Sequence, residues 1–264
     1  MNIVLRELRA NRKSLIIWCV SMSLLIFISL VKYSGIAMLG QSANDLFNQL
    51  PDAMKSIFGL NFLDLTKISG YYGVLFPYLM LLGSTHAVFL GATIISKEES
   101  DKTADFLLVK PISRSTVITA KLIAALINLV LLNMVTLISS IFFVAMYNQG
   151  APINAQISRL IIALFILQVI FSSVGAGISG IAKNTKKATS FASTVLLTTF
   201  VLSVASDLYS KIDFLRYFTP FKYFPTVQVM QGSYEPLSLF LSLLIIITST
   251  VLTYRLYEKQ DIQI

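Results

Sequence analysis

The sequence contains few charged residues, and this scarcity excludes most soluble proteins. Only 13% of its 264 residues are charged, whereas soluble globular domains average about 25%. A disordered chain is excluded as well, because 55% of the residues are hydrophobic and disordered segments are poor in such residues. The mean hydropathy of +0.75 points to the remaining class, an integral membrane protein crossed by apolar helices.

Histidine and cysteine are also scarce, which limits the chemistry open to the chain. The single cysteine, Cys19, can form no intrachain disulfide and no cysteine-based metal site. ATP hydrolysis is excluded, because a phosphate-binding loop needs Gly-Lys-Ser/Thr and none of the 12 glycines is followed by lysine. With one histidine and acidic residues mainly in predicted loops, we expect no catalytic residue, metal site or cofactor in this chain.

Six apolar runs are long enough to cross a bilayer as helices. A helix that rises 1.5 Å per residue needs about 20 residues to cross a hydrocarbon core of about 30 Å. The predicted spans are residues 15–31, 71–95, 122–147, 160–182, 188–209 and 237–254. The segments between them are too short to build a separate soluble domain. The predicted fold is therefore an all-α integral membrane protein, with residues 1–264 as one transmembrane domain.

Lysine and arginine are distributed unevenly between the two sets of loops. The N-terminus, residues 96–121, residues 183–187 and the C-terminus hold 14 of the 21 cations, and the opposite side holds 7. Because cytoplasmic loops are richer in lysine and arginine, both termini and the 96–121 loop are predicted to be cytoplasmic. Residues 1–14 mix apolar and basic side chains, which favours an amphipathic helix in the cytoplasmic interface. Simple anchoring of the first span by positive charge is the alternative.

The predicted spans contain few polar groups that suggest a function. His86 is a candidate because an ionisable residue inside a membrane is expensive, and a neutral packing histidine is the alternative. Asn128, Asn133 and Gln168 are either lining groups of a cavity or hydrogen-bonded links between helices.

A Gly-x-Ser-Gly sequence in the fourth span resembles that of rhomboid-like intramembrane proteases. Its serine, Ser179, would have to pair with His86, but the two differ in predicted depth by about 9 Å, which is beyond hydrogen-bond reach. Gly177 and Gly180 belong instead to small-xxx-small pairs that predict close helix packing.

The stretch 96–114 joins a charged cluster to an apolar segment. It starts with charges that include Glu98 and Glu99, and then presents Phe106, Leu107 and Leu108. A proline that breaks the helix follows, and then a serine that can cap the next helix. The pattern predicts a short amphipathic helix in the cytoplasm, with an apolar tip suited to docking into a groove of another protein. A solvated loop with a lipid-facing apolar side is the alternative.

This stretch resembles the first cytoplasmic loop of type-2 ABC transporter permeases, whose pattern is close to E-E-x-x-G-T-x-x-x-L-L-x-x-P-[IV]-S-R followed by a lysine. The matching residues are Glu98-Glu99, Thr103, Leu107-Leu108, Pro111-Ile112-Ser113-Arg114 and Lys121. The chain departs from the pattern at Lys102, where glycine is common, so the turn before Thr103 is expected to differ. Further matches at residues 50–51, 58–59, 70–71 and 219–224 (TPFKYF) extend the resemblance over nearly the whole chain.

The resemblance implies the membrane subunit of an ABC exporter, in which two six-helix halves pair and recruit separate ATPase subunits. It implies an interfacial N-terminal helix, a cytoplasmic coupling helix between spans 2 and 3, and short re-entrant helices in residues 210–236. The sequence itself permits that re-entry without requiring it. The residues implied to contact the ATPase are Glu98, Glu99, Thr103, Phe106, Leu107, Leu108 and Arg114. A second cytoplasmic contact is implied at Lys183, Lys186 and Lys187, with topogenic anchoring as the alternative.

The expected partners are the ATP-binding subunit, a second permease half that is identical or paralogous, and the lipid bilayer of a bacterial-type cell membrane. ATP and Mg²⁺ would be bound by the ATPase partner. No nucleic acid is expected, because a net charge of +8 in a membrane protein usually marks cytoplasmic loops and contacts with anionic lipid. Two other functions stay open on the sequence: a secondary transporter or channel, and a non-transporting membrane sensor.

Overall fold

The structure, a computed structural model, describes most of the chain. It covers residues 3–40, 45, 49, 55, 63–100, 113–148, 150–181, 184–208 and 210–259. For residues 96–100, 210–213 and 258–259 the description extends to the backbone alone. Within these ranges every regular element is a helix and no strand is found, so the predicted all-α fold is confirmed.

Six long helices make up the bundle. They are α1 (Ile3–Leu39), α2 (Ile68–Ser100), α3 (Arg114–Tyr147), α4 (Asn154–Ile181), α5 (Thr185–Leu208) and α7 (Pro236–Lys259). Between α5 and α7 lie two 3₁₀ helices, Ser210–Phe218 and Pro220–Lys222, and the short helix α6 (Thr226–Gln231). All six long helices are long and apolar enough to cross a membrane, which confirms the prediction of six spans. Most of them continue beyond the predicted spans.

The N-terminal segment differs from its predicted form. The sequence favours a separate interfacial helix in residues 1–14, but α1 is one uninterrupted helix of 37 residues. No glycine or proline occurs in its first turns, so nothing interrupts the helical hydrogen bonds there. The segment also packs on the bundle, since Glu7 is buried and Val4 and Leu8 lie against the core. The separate helix is therefore not formed in the described residues.

Helices α2 and α4 occupy the centre of the bundle. Both are buried over most of their spans, whereas less than a quarter of the α1, α5 and α7 spans is buried. The α2–α4 interface is the most extensive between any two elements described. Around this pair, α1 packs mainly on α3, α7 mainly on α4, and α5 mainly on α2. The peripheral helices are thus held through the central pair or through α3.

Two glycines bring the backbones of α2 and α4 into contact. A Cβ atom at Gly91 would lie 2.0 Å from the carbonyl oxygen of Ser172, and one at Gly175 would lie 2.5 Å from that of Val88. No side chain larger than hydrogen fits at either position without moving a backbone. Because lipid supplies no hydrophobic force between membrane helices, close packing at such small residues is a main source of their association.

The predicted small-residue packing of α4 involves a different neighbour. Gly177 faces the backbone of Ser249 in α7, where a Cβ atom would lie 3.4 Å from the carbonyl oxygen. Gly180 faces Leu256, three residues before the end of α7. The expectation of close packing at these two glycines is confirmed, with α7 as the partner helix.

Side-chain contacts define the two ends of the bundle. At one end the hydroxyl groups of Thr119 and Tyr254 lie 2.7 Å apart, and Glu7 forms an ion pair with Lys121. We call this the loop end, because residues 101–112 join α2 to α3 there. The first turns of α1 and the last turns of α7 therefore lie at the same end, as an even number of spans requires. We call the opposite end, which carries residues 210–235, the cap end.

The α2–α4 contact predicts a specific sensitivity to substitution. Gly91→Ala should lower the free energy of unfolding by about 1–3 kcal/mol, because the new methyl group forces two backbones apart. Thermal or denaturant unfolding in detergent measures this loss. Gly35→Ala is the matched control, since a Cβ atom at that helical position meets nothing within 4 Å. Equal stabilities of the two variants would contradict the close crossing of α2 and α4.

Candidate functional site

Half of the ten residues predicted to contact the ATPase lie outside the described part of the chain. These residues are Thr103, Phe106, Leu107, Leu108 and Lys183. Glu98 and Glu99 belong to the last turn of α2, which runs to Ser100. Arg114 is the first residue of α3 and is partly exposed. The structure therefore brings the two flanks of the 101–112 segment to the loop end of the bundle.

The start of α3 is fixed by the predicted cap. Ser113 has the extended backbone conformation of an N-cap residue. Its side-chain oxygen accepts a hydrogen bond of 3.3 Å from the backbone amide of Thr116. This bond satisfies one of the amide groups that lack a partner in the first turn of a helix. The helix that carries Arg114 thus begins directly after the 101–112 segment.

The second predicted contact lies at the same end. Lys186 and Lys187 are exposed in the first turn of α5, and the side chain of Asn184 accepts a hydrogen bond from the Lys186 amide. Exposed lysines at this position are compatible with a partner contact and with anchoring at lipid headgroups.

A buried charge cluster at the loop end is a feature that the sequence analysis missed. Lys121 is 0% exposed, and its ammonium donates a 2.5 Å hydrogen bond to the carbonyl oxygen of Ile94. Glu7, which is 3% exposed, places Oε1 3.8 Å from the same ammonium. One sequence signal was present: Glu7 is the single acidic residue among the basic residues of segment 1–14. Its partner on α3 could not be read from any local pattern.

The polar residues of α3 and α4 link helices in the middle of the bundle. Asn133 donates a 2.5 Å hydrogen bond to Oε1 of Gln168, which joins α3 to α4. Asn128 donates instead to the carbonyl oxygen of Ala124 in its own helix. All three side chains are buried. For Asn133 and Gln168 the structure therefore favours the interhelical link over the lining of a cavity.

A groove of about 240 Å³ opens between α3, α4 and α7 near the loop end. Its lining is mostly apolar, with hydroxyl groups that include those of Thr119 and Tyr254. Asn128, Asn133 and Gln168 are not among the lining residues. The groove therefore does not use the polar residues that the sequence offered as cavity groups.

His86 lies in α2 against the first helix. Its ring is 5.4 Å from that of Trp18 between centroids, and its Nδ1 atom has no hydrogen-bond partner within the described residues. The hydroxyl group of Ser179 has none there either, so the two residues form no Ser–His pair. The ring contact with Trp18 supports the interpretation of His86 as a packing residue.

At the cap end, the chain after α5 returns into the bundle. The ring of Phe221 lies 5.1 Å from that of Phe171 in α4 and 5.4 Å from that of Phe200 in α5. Phe171 is about 26 Å along α4 from the start of that helix at Asn154. The 3₁₀ helix Pro220–Lys222 is therefore inserted between α4 and α5, an arrangement that local sequence patterns did not predict in this detail.

Arg159, in the second turn of α4, holds the segment that follows. Its guanidinium donates a 2.8 Å hydrogen bond to the carbonyl oxygen of Met230, and the hydroxyl of Tyr234 donates to the carbonyl oxygen of Arg159. Burial raises the pKa of Tyr234, and the charge of Arg159 offsets only part of that rise, so the hydroxyl keeps its proton.

Gly232 makes this arrangement possible. It ends α6 with φ of +87°, a conformation that glycine adopts without the steric cost of a side chain. A Cβ atom there would lie 3.1 Å from Cζ of Arg159. The backbone conformation therefore favours glycine at this turn, and a side chain there would also have to displace the Arg159 guanidinium.

Comparison with known proteins assigns the chain to a family of membrane proteins. A family model described as "ABC-2 family transporter protein" matches residues 1–262. No curated protein matches the sequence. The family match covers all six long helices and both ends of the bundle.

The Asn133–Gln168 hydrogen bond predicts a measurable coupling between α3 and α4. A double-mutant cycle with Asn133→Leu and Gln168→Leu should give an interaction free energy of about 1 kcal/mol, the size found for hydrogen bonds between membrane helices. The free energy of unfolding in bicelles provides the measurement. In the control cycle, Asn128→Leu replaces Asn133→Leu, and the interaction should vanish because Asn128 bonds within its own helix. Equal coupling in both cycles would refute the link.

Proposed function

Because the chain belongs to the ABC-2 transporter permease family, we propose that it is the permease subunit of an ATP-binding cassette exporter and forms half of its translocation pathway. A separate ATPase subunit, which binds ATP and Mg²⁺, drives the transport. The observation that carries the proposal is the family match over residues 1–262. The absence of any Gly-Lys pair in the sequence supports an ATPase on another polypeptide.

The loop end faces the cytoplasm in this proposal. The excess of lysine and arginine in the segments at this end supports the orientation. The ATPase docks on the 101–112 segment, with Phe106, Leu107 and Leu108 as the apolar anchor and Glu98, Glu99, Thr103 and Arg114 around it. Lys183, Lys186 and Lys187 supply the second contact. The direct attachment of this segment to two long helices, with α3 capped at Ser113, supports its role in transmitting motion.

A second permease half pairs with this chain through α5. Helix α5 exposes hydroxyl groups at Ser190, Thr194 and Thr198. By contrast, the exposed residues of α1 and α3 within 15–31 and 122–147 are all apolar. A hydroxyl group gains less from lipid than from protein or water, so the exposed face of α5 suits a partner helix or an aqueous pathway better than the bilayer.

Residues 210–235 close the outer exit of the pathway. Phe221, inserted between Phe171 and Phe200, supports this role, and the hydrogen bond from Arg159 to Met230 holds the following turn. Lys222 also forms an ion pair with Asp207 near the end of α5. Non-helical backbone is tolerated at membrane depth only where protein or water satisfies it, and these contacts provide protein partners.

The proposed orientation predicts the labelling of single cysteines. In a Cys19→Ser background, Lys102→Cys and Lys186→Cys should resist a membrane-impermeant thiol reagent applied to intact cells, whereas Asp52→Cys and Ser233→Cys should react. Lys186 and Ser233 are both exposed on the surface of the chain, so a difference in their labelling reports the side of the membrane and not burial within the protein. Permeabilised cells provide the control, in which Lys186→Cys must react. The reverse pattern in intact cells would overturn the orientation and the coupling assignment.

The proposed docking of the ATPase predicts the effect of truncating Phe106. Aromatic anchors at the centre of interfaces often lose about 2 kcal/mol when cut to alanine, which weakens binding roughly thirtyfold. Phe106→Ala should therefore reduce the ATPase that co-purifies from native membranes, while expression and insertion of the chain stay normal.

Phe142→Ala is the matched control for Phe106→Ala. It removes the same ring from an exposed position on α3 within the predicted span and should leave the ATPase bound. A Phe106→Ala variant that retains as much ATPase as the control would show that this segment is not the coupling contact. Failure of the unaltered chain to capture any ATPase would overturn the proposed function itself.

A further inference from the structure

The buried ion pair at the loop end connects three helices at a single ammonium group. We call it the Lys121 junction: Lys121 of α3, Glu7 of α1 and the carbonyl oxygen of Ile94 in α2. The ammonium lies 2.5 Å from the carbonyl oxygen and 3.8 Å from Oε1 of Glu7. A guanidinium nitrogen of Arg6 lies 3.7 Å from the same carboxylate oxygen. Both members of the buried pair are nearly inaccessible to solvent.

The junction lies close to both flanks of the 101–112 segment. Ile94 is six residues before the end of α2, and Lys121 is seven residues after the start of α3, which places each about 10 Å along its helix from that segment. Glu7 belongs to the first turns of α1, which the ion pair joins to these flanks. One contact therefore connects the first helix to both helices that lead to the loop.

Stability alone is a weak reason for such a pair. Replacing a buried ion pair by apolar residues of similar size is often neutral or stabilising, whereas removing one member leaves an unpaired buried charge. The packing of α1 on α3 also continues through other residues, such as Phe27 and Phe143, whose rings are 5.3 Å apart. What the junction adds is a fixed relative position of three helix ends.

We propose that Lys121 is a positioning residue that makes the first turns of α1 move as one unit with the flanks of the 101–112 segment. The inference rests on the proposed function in one respect: the displacement to be transmitted is the one that the ATPase imposes on this segment. Without the junction, the first turns of α1 would be held at the loop end by non-directional apolar contacts such as those of Val4 and Leu8, which allow α1 to slide against α3.

Spin-label distances test the junction directly. Labels on Arg12→Cys and Thr116→Cys, both at exposed positions, report the separation of α1 and α3 in a Cys19→Ser chain held in nanodiscs. With Lys121 and Glu7 unchanged, the two labels should give a narrow distribution of distances. Lys121→Met combined with Glu7→Leu removes both buried charges, and the remaining charge of Arg6 is partly exposed to solvent. This variant should broaden and shift that distribution.

A second arm adds the ATPase and vanadate-trapped nucleotide. The label distance should stay the same in the nucleotide-free and trapped states of the original chain, and it should differ between these states in the Lys121→Met/Glu7→Leu variant. Lys67→Met is the matched control, since its pair with Asp64 is largely exposed at the cap end, and it should behave like the original chain.

The outcomes separate the two proposals. A Lys121→Met/Glu7→Leu variant that folds and keeps the original narrow distribution in both arms overturns the positioning role of Lys121. If the chain binds no ATPase, the label distances measured without the ATPase still test the role of Lys121, and the proposed function is overturned instead.

Discussion

The close contact between α2 and α4 is the constraint on which the rest of the bundle depends. Inside a bilayer, apolar side chains gain nothing by leaving lipid for protein, so helices associate where their shapes allow dense packing. Gly91 and Gly175 remove the side chains that would hold the two backbones apart. The remaining helices then pack around this pair: α5 on α2, α7 on α4 at Gly177 and Gly180, and α1 against α3.

Several polar side chains of the bundle form hydrogen bonds that link one element to another. Asn133 joins α3 to α4 in the middle, and the Tyr72 hydroxyl donates to that of Ser140 to join α2 to α3. At the cap end Arg159 of α4 donates a hydrogen bond to the carbonyl oxygen of Met230 in α6. At the loop end Lys121 of α3 donates one to the carbonyl oxygen of Ile94 in α2. Because an unsatisfied polar group is costly in a low-dielectric interior, each of these bonds fixes a relative helix position more sharply than apolar packing does.

Features that depend on local sequence were predictable, and features that depend on distant partners were not. The six apolar runs, the cap at Ser113 and the small-residue packing of Gly177 and Gly180 follow from composition and short-range spacing, and the structure reproduces them. The continuity of α1 was missed because the basic residues at its start were interpreted as interfacial, although no helix breaker separates them from the span. The partners of Glu7 and Phe221 lie more than 20 residues away in the chain, where periodicity carries no information.

The length of α1 has a consequence for its relation to the bilayer. An uninterrupted helix of 37 residues is about 55 Å long, and a tilt of 40° still leaves a vertical extent of about 42 Å, more than the hydrocarbon core of about 30 Å. Some of its turns must therefore lie among headgroups or in water. The exposed cations Arg9, Arg12 and Lys13 lie six or fewer positions ahead of the apolar run that begins at Leu15, a distance at which long basic side chains can reach lipid phosphates. The attraction of these cations to anionic headgroups therefore adds to the match between apolar length and membrane thickness in setting the height of the first helix.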